Sequence, residues 1–468
     1  MGILSADKML LLSGFLGQLP EHVAARLAKA VEVDRLIGGS NLPHEEILRA
    51  LRPQLRQVPE KARTQTPQRF FCLPFEDMLV SPNRSTKQKG RIARSTIEPV
   101  WNWLATDLMP TRHRAITEAL RDAILRGRDA EREELTAELW SEASTALKAE
   151  LANEKQRTFA AKKLGGTAAA EDAMEIAVVL AAGREITQMQ SRLPKPILAL
   201  TEDDIKLLRE TFDALSESMP DVAPYVPLIV MGRLERPWEA LHLAGILGRK
   251  MTDTVIANTD LAVVGELLFS DLDEYAKKMQ SVRPAEFDPE LVVTTLANFS
   301  ELSSGIVKEL GIRRDGKWGQ RLSKNRATVS QAVENLIERA PKEILAALPT
   351  ARVGSFGKGP KPLDFSRKPD PDRVAKATRY ASLMAHSRPF AVAAAFSAKL
   401  KEAMDETAEE LRTYGEDILR EFRAGPSDTR GHMDEHWDVV LALCTLVLGE
   451  QETELLRRRS KVPTAAAV

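Results

Sequence analysis

Residues 201–219, TEDDIKLLRETFDALSESM, decide the fold class of this chain. Their apolar side chains recur at intervals of three and four residues, which is the spacing of one face of an α-helix. These side chains are Ile205, Leu208, Phe212, Leu215 and Met219. Thr201 precedes three acidic residues, a pattern typical of a helix N-cap with acids in the first turn. The stretch therefore predicts an amphipathic helix that buries one face.

The same periodicity recurs along most of the 468 residues, and no segment of comparable length alternates as a strand does. Aromatic residues make up only 5% of the chain, so the core must consist mainly of aliphatic side chains, which suit helices. We found no fixed repeat period that would indicate a solenoid family. The sequence predicts an all-α protein, an irregular array of antiparallel helices in two or three units without substantial β-sheet.

Joints rich in proline and glycine divide this array. The expected parts are an N-terminal helical unit (5–57), a helical region with a basic loop at 81–95 and a long charged helix (70–193), a central array (197–349), a flexible linker (350–371) and a C-terminal unit (372–460). The alternating charges of segment 111–163 are compatible both with a solvent-exposed helix and with an antiparallel helical arm.

Charge is distributed unevenly along the chain. Residues 49–128 contain 16 Lys or Arg and 7 Asp or Glu, a local charge of +9, whereas the net charge of the whole chain is −1. A basic region of this kind can meet phosphate, nucleic acid or an acidic protein surface. It can equally pair with the acidic remainder of its own chain.

The densest part of this region is a loop with five cations in eleven residues and no acid. These cations are Arg84, Lys87, Lys89, Arg91 and Arg94. Such side chains form charge-assisted hydrogen bonds with carboxylates and phosphates, and nearby glycine and serine leave backbone amides accessible to an anion. We predict that the loop binds an acidic or phosphorylated segment of a protein partner; the alternative is a solvated loop without a ligand. Neutralising all five should then weaken binding and leave thermal stability nearly unchanged.

Other residues with reactive side chains give weaker signals. His432 and His436 have the i, i+4 spacing that can hold a metal on a helix, but Met433 stands where the zincin pattern requires glutamate. They are weak metal candidates, and we assign neither metal nor cofactor. Cys72 and Cys444 cannot form a disulfide framework and are predicted to be small core residues, as expected in a reducing cytoplasm.

These features favour a non-catalytic cytoplasmic scaffold or adaptor whose partner is another protein, because helical arrays present extended grooves. The alternative is a nucleic-acid-associated regulatory protein that uses residues 49–128, with binding that depends strongly on salt. No nucleophile and base stand in a recognisable catalytic pattern, and a pocket that combined His432 or His436 with buried carboxylates would favour an enzyme.

No apolar run approaches the length of a membrane span. Trp238, at a tight joint between helices, is predicted to fill a gap between its neighbours.

Overall fold

The computed structural model describes residues 65–80, 87–249, 259–309, 311–313, 315–348, 365–423 and 432–460, together with Leu363 and isolated positions between 15 and 51. Over these residues the protein is all-α, as predicted, with eighteen α-helices and one pair of two-residue strands. No helix in these ranges combines the length and apolar character needed to cross a bilayer. Arg84 and most of the predicted linker lie outside the described residues.

The chain divides into two compact units. Unit 1 comprises Met1–Lys87 and Arg91–Arg192, and unit 2 comprises Gln88–Gly90 and Leu193–Val468. The predicted central array and the predicted C-terminal unit thus both fall within unit 2. Among the isolated N-terminal positions, Leu16, Ala24, Ala28, Val31, Ile47, Leu48 and Leu51 form one buried apolar cluster.

Seven described α-helices belong to unit 1. They are α1 (Pro67–Cys72), α2 (Arg94–Trp103), α3 (Pro110–Arg126), α4 (Asp129–Glu150), α5 (Glu154–Leu164), α6 (Thr167–Ala181) and α7 (Gly183–Arg192). A 3-10 helix (Leu73–Met78) follows α1, and a π-helical turn (Leu104–Leu108) follows α2. Strands β1 (Leu79–Val80) and β2 (Ile92–Ala93) pair in parallel, with Leu79 opposite Ile92.

The prediction of one long charged helix was wrong, because the segment forms α3, α4 and α5. Gly127 ends α3 in the left-handed conformation, with φ of 66°, which glycine adopts without steric penalty. Helices α3 and α4 pack on each other across this short joint and therefore run antiparallel. Leu139, Ala143 and Leu147 of α4 are buried, so the antiparallel arm is the correct alternative.

Eleven described α-helices belong to unit 2. They are α8 (Glu202–Ser218), α9 (Tyr225–Met231), α10 (Glu239–Leu247), α11 (Ala262–Gln280), α12 (Pro289–Glu309), α13 (Lys317–Ile337), α14 (Ala340–Leu345), α15 (Pro371–Ser387), α16 (Ser397–Arg423), α17 (Met433–Val447) and α18 (Glu450–Ser460). A short 3-10 helix (Arg388–Phe390) follows α15. Helix α8 begins with the predicted cap: Thr201 Oγ1 accepts from the Asp204 amide, and the Asp204 carboxylate accepts from the Thr201 amide.

Three tryptophans lie directly on glycines of neighbouring segments. The pairs are Trp140 with Gly183, Trp238 with Gly305 and Trp318 with Gly265. A Cβ atom at these glycines would lie only 2.6, 2.4 and 2.3 Å, respectively, from the tryptophan rings. The absence of a side chain thus lets each indole sit against the backbone, and the prediction that Trp238 fills a gap is confirmed.

Helices α11 and α13 are joined by a polar network beside one of these contacts. Trp318 Nε1 donates to Glu266 Oε1 at 3.1 Å, and Arg321 Nη1 donates to Glu266 Oε2 at 2.7 Å. Two turns further along α11, Asp273 Oδ2 accepts from Arg321 Nε at 3.0 Å, and Asp273 Oδ1 accepts at 2.7 Å from Nδ2 of Asn325, one turn beyond Arg321 on α13. Because residue numbers rise together on both sides, the two helices run in the same direction.

His113 of α3 is a buried titratable group in unit 1. Its side chain packs edge-on against Trp101, with 4.5 Å between ring centroids, and the residue is only 7% exposed. Nε2 has no hydrogen-bond partner among the described residues. Burial, with a smaller effect from the charge of Arg121, lowers the pKa of His113, so the folded state holds the neutral imidazole.

We expect Gly265→Ala to destabilise unit 2 by about 1–3 kcal/mol, because the new methyl group must displace the Trp318 ring from a filled core. Urea unfolding followed by tryptophan fluorescence measures this change. The matched control is Gly415→Ala in the middle of α16, where the nearest side-chain atom to the added Cβ is 3.8 Å away. Alanine there should stabilise by up to about 1 kcal/mol through its helix propensity. Equal effects of the two variants would contradict the role of the Trp318 contact.

A second prediction concerns pH. The unfolded state protonates His113 near its ordinary pKa of 6.5, whereas the folded state protonates it at lower pH. His113 therefore destabilises the fold as pH falls below about 6.5, by up to about 1.4 kcal/mol for each unit by which its pKa is lowered. We expect His113→Phe to make the free energy of unfolding less dependent on pH between 7 and 5, as measured by urea titration. Identical pH dependence in both proteins would show that His113 does not contribute.

Candidate functional site

Lys87, a member of the predicted basic loop, is occupied inside unit 1. Its side chain is 11% exposed, and Nζ lies 2.8 Å from Asp172 Oδ1 and 3.2 Å from Glu175 Oε2 of α6. The same ammonium donates to the Arg91 carbonyl at 2.6 Å. These contacts fasten the loop to α6, so we correct the prediction: Lys87 is a structural cation rather than a ligand for a partner.

Asp172 is the centre of this arrangement. Besides contacting Lys87, its Oδ2 accepts from the Ala93 amide at 3.0 Å and from Thr96 Oγ1 at 2.7 Å. Asp172 is 2% exposed, and a carboxylate buried to this degree requires charge and hydrogen-bond partners. The group therefore sets the path of the chain between β2 and α2.

The other cations of the predicted basic loop differ from one another in unit and in exposure. Lys89 belongs to unit 2, where it is exposed and its Nζ lies 5.9 Å from the Tyr225 ring centroid. In unit 1, Arg91 is half-buried and Arg94 is exposed at the first position of α2. A role of Lys89, Arg91 and Arg94 in binding an acidic or phosphorylated segment stays a prediction, and Arg84 lies outside the described residues.

Several cations of the wider basic region are matched by acids. Arg112 of α3 pairs with Glu138 and Glu142 of α4, and Arg126 Nε lies 2.8 Å from Asp122 Oδ1. Arg128 likewise contacts Asp122 and Glu131. These pairs reduce the positive charge that α3 presents to a phosphate backbone, so they give no support to a nucleic-acid surface on this helix.

The two weak metal candidates have other contacts. His436 is 3% exposed, and its Nε2 donates to the Arg367 carbonyl at 2.9 Å, while its ring packs 5.7 Å from that of Phe365. His432 precedes α17, and its Nδ1 lies 3.4 Å from Glu435 Oε1. Within the described ranges no three His, Cys, Asp or Glu side chains are grouped to hold a metal ion.

The two thiols have raised pKa values. Burial is the main cause, and neighbouring Glu76 and Glu452 act in the same direction on Cys72 and Cys444, respectively. Each pKa is about 12, so both thiols are protonated and weakly nucleophilic at neutral pH. Cys444 is fully buried, which confirms its predicted place in the core, whereas Cys72 is half-buried.

A groove of about 620 Å³ lies in unit 2 where α11 ends at Gln280 and the parallel α13 continues. Its apolar lining is Met279, Val282, Pro284, Ala327, Ala332 and Leu336, and its polar lining is Gln280, Thr328, Gln331, Asn335 and Arg339. The volume falls in the ordinary range of ligand-binding clefts. We take this groove as the candidate functional site.

The sequence of α13 generates one wall of the groove. Thr328, Gln331 and Asn335 are spaced by three and four residues, which places them on one face of the helix, and Arg339 follows two residues after the helix ends at Ile337. The opposite wall is fixed where the chain leaves α11, because Tyr380 Oη donates to the Pro284 carbonyl at 2.8 Å. Burial is the main reason that the pKa of Tyr380 is raised, which keeps this donor protonated.

Positive charge is concentrated at the Pro284 end of the groove. Arg339 is exposed and its guanidinium forms no ion pair with any residue that the structure describes, and the same holds for Arg283 beside Pro284. Two nearby acids are already paired: Glu338 lies 3.7 Å from Lys399, and Glu343 lies 2.8 Å from Lys376. Glu286, which is bridged to Arg283 through the backbone, is exposed and offsets part of the charge of Arg283. This end of the groove therefore presents cationic groups to an incoming ligand.

The lining is suited to binding rather than to proton transfer. Arg339 is the one ionisable side chain among the lining residues that the structure describes. The amides of Gln280, Gln331 and Asn335 can both donate and accept hydrogen bonds, as a peptide backbone requires, and a guanidinium can hold a carboxylate or phosphate. Sequence analysis missed this site, because Thr, Gln and Asn at helical spacing also occur on ordinary solvated faces.

We expect Lys87→Met to destabilise unit 1 by about 3–5 kcal/mol, because it leaves Asp172 and Glu175 without their buried counter-charge. Urea unfolding gives the free-energy change. Lys89→Met is the control: this exposed side chain should change stability by less than about 0.5 kcal/mol. The result would differ from the sequence-based expectation that neutralising the loop leaves stability unchanged. A Lys87→Met protein as stable as the wild type would contradict the assignment.

The chain was also compared with known proteins. No family model matches it, and neither a curated protein nor a solved structure is significantly similar to it. Its function is therefore inferred from its own residues.

Proposed function

We propose that the protein is a non-catalytic cytoplasmic scaffold or adaptor that binds an extended acidic segment of a protein partner in the groove between α11 and α13. The observation that carries this proposal is the unpaired Arg339 at the end of a cleft otherwise lined by amide, hydroxyl and aliphatic side chains. A carboxylate of the partner would pair with this guanidinium, which is exposed and forms no ion pair within the described residues.

The groove offers two kinds of contact to such a segment. Ala327 and Ala332 on α13, with Val282 and Pro284 beyond the end of α11, supply apolar surface for alternate side chains, over the fully buried Met279 and Leu336. Between them, Gln331 and Asn335 are exposed and already exchange a hydrogen bond at 3.1 Å, Gln331 Nε2 donating to Asn335 Oδ1. Both amides keep further donor and acceptor capacity for the main chain of a bound segment.

The typical binding free energies of apolar burial and of an exposed ion pair indicate which contact provides more of the affinity. Each fully buried aliphatic side chain of the partner contributes roughly 1.5–3 kcal/mol, whereas an exposed ion pair contributes about 0.2–1 kcal/mol. Apolar burial therefore provides most of the affinity. The cations at the Pro284 end select an acidic partner over a neutral or basic one and speed its association.

The alternative, a nucleic-acid-associated regulatory role of residues 49–128, has less support. The ion pairs of Arg112, Arg126 and Arg128 lower the positive charge on α3. Steep loss of oligonucleotide binding with rising salt is what this alternative requires.

We expect a labelled peptide that alternates glutamate with valine to bind the full-length protein, as followed by fluorescence anisotropy. The valines favour the extended conformation and fill the apolar positions. Arg339→Gln should weaken binding by up to about fivefold, because it removes one exposed ion pair. A peptide with glutamine in place of each glutamate should bind more weakly to the wild-type protein and respond little to the substitution.

Lys401→Gln on α16 is the matched control, since it removes the same charge from an exposed position away from the groove lining. It should leave peptide affinity unchanged. Equal weakening by both substitutions, or tighter binding of an oligonucleotide than of the acidic peptide, would contradict the proposed function.

A further inference from the structure

Arg339, the groove cation, has an acidic neighbour one helical turn away. It is the N-cap residue of α14 with helical backbone angles, φ −85° and ψ −22°, and the Glu343 amide donates to its carbonyl at 3.0 Å. Side chains at this i, i+4 spacing are neighbours, and Arg and Glu can form an ion pair there. Glu338 precedes Arg339 directly, and adjacent residues of a helix do not face each other. Glu343 is therefore the acid of α14 that is placed to neutralise Arg339.

In the structure, Glu343 is engaged by a different cation. Its Oε2 lies 2.8 Å from Nζ of Lys376 on α15, and the two side chains are 24% and 33% exposed, respectively. A partly buried pair is screened by salt less than an exposed one. Arg339, in contrast, is exposed and forms no ion pair with any residue that the structure describes. The carboxylate that could cover Arg339 is thus held by another helix.

Glu343 and Arg339 both act on the hydroxyl of Tyr380. Burial is the main reason that the pKa of Tyr380 is raised; the charge of Glu343 raises it further, and the charges of Arg339 and Arg379 oppose this. The same hydroxyl donates to the Pro284 carbonyl at 2.8 Å. Glu343 and Arg339 therefore lie at one end of the groove, within electrostatic range of one another.

One face of α15 provides both of the contacts that shape this end. Lys376 and Tyr380 are four residues apart and are therefore neighbours on the helix surface. Tyr380 is fixed by its own packing, since it is 1% exposed and its ring lies 5.0 Å from that of Phe287. The helix packs against α14 and α12. The face thus holds the Pro284 wall through Tyr380 and the Glu343 carboxylate through Lys376.

We propose that Lys376 keeps Arg339 free by engaging Glu343, and so gives the groove its selectivity for an acidic partner. The inference rests on the proposed function of the groove. Without the Lys376 ammonium, Glu343 pairs with Arg339, and an acidic segment has to displace it before binding. Lys376 is not among the lining residues, so it is a positioning residue that acts through Glu343.

The test combines peptide affinity with a measurement on Arg339 that needs no peptide. Fluorescence anisotropy with the glutamate–valine peptide gives the affinity of the full-length protein. Nitrogen-15 NMR of the Arg339 Nε–H group, assigned by its loss in Arg339→Gln, gives the rate at which that proton exchanges with water. We expect Lys376→Gln to weaken peptide binding by about two- to threefold, the strength of an ion pair at this helical spacing. Exchange at Arg339 should become slower, because the new pair shields the proton.

Rescue separates this role from a merely structural one. Glu343→Gln, added to Lys376→Gln, should restore both the affinity and the exchange rate, because the competing carboxylate is then absent. In an Arg339→Gln background, Lys376→Gln should not weaken binding further. Damage to the packing of α15 would be repaired by neither second substitution, and circular dichroism checks that each variant folds.

Lys399→Gln is the matched control. It removes the same charge and releases Glu338, whose carboxylate lies 3.7 Å from Lys399 but whose position does not face Arg339. Affinity and exchange at Arg339 should therefore stay unchanged. The inference is overturned if Lys376→Gln leaves exchange at Arg339 unaltered, if Lys399→Gln has an equal effect, or if Glu343→Gln gives no rescue.

The peptide-free measurement also distinguishes this inference from the proposed function. If the peptide does not bind the wild-type protein, the proposed function is wrong. Slower exchange at Arg339 in Lys376→Gln, reversed by Glu343→Gln, would then still support the role of Lys376 in keeping Arg339 free. Peptide binding that depends on Arg339 but not on Lys376 would overturn the inference and leave the proposed function in place.

Discussion

The contact between Trp318 and Gly265, with the Glu266–Arg321–Asp273 network beside it, is the constraint on which the candidate site of unit 2 depends. The indole rests on the α11 backbone because Gly265 has no side chain, and its Nε1 donates to Glu266 one residue further on. This pairing holds α11 and α13 parallel and in register. Since α11 stops at Gln280 while α13 continues to Ile337, the remaining face of α13 is left to form a groove.

The same register explains why the two arginines of α13 differ. Arg321 faces the acidic residues of α11, whereas Arg326 points toward α12, where serines replace carboxylates. The charge of Arg321 is thus used to join helices, and the charge of Arg326 is not. Arg339 follows the end of α13, beyond the last residue of α11, and forms no ion pair with the residues that the structure describes. Arg321 therefore joins two helices, whereas Arg339 is the arginine that we propose binds a partner.

In unit 1, several basic side chains that resemble a recognition surface in the sequence pair with acids of the same chain. The basic loop looked like one recognition surface in the sequence, but Lys87 neutralises Asp172 and Glu175, and α3 arginines neutralise acids of α3 and α4. An internal pair and a ligand-binding cation have the same sequence signature, because the acid that pairs with Lys87 lies some 85 residues away along the chain. The density of cations could not distinguish the two.

The sequence by itself determined the all-α class, the cap of α8 at Thr201 and the filling role of Trp238, because helix periodicity, capping and the size of an indole act over a few residues. Tertiary structure alone decided that the charged segment 111–163 folds back as separate helices, that Lys87 is internal, and that Gln280, Gln331, Asn335 and Arg339 share a groove. Each of these depends on which helices meet and at what register. Packing between residues distant in the chain sets that register, and local periodicity carries no information about it.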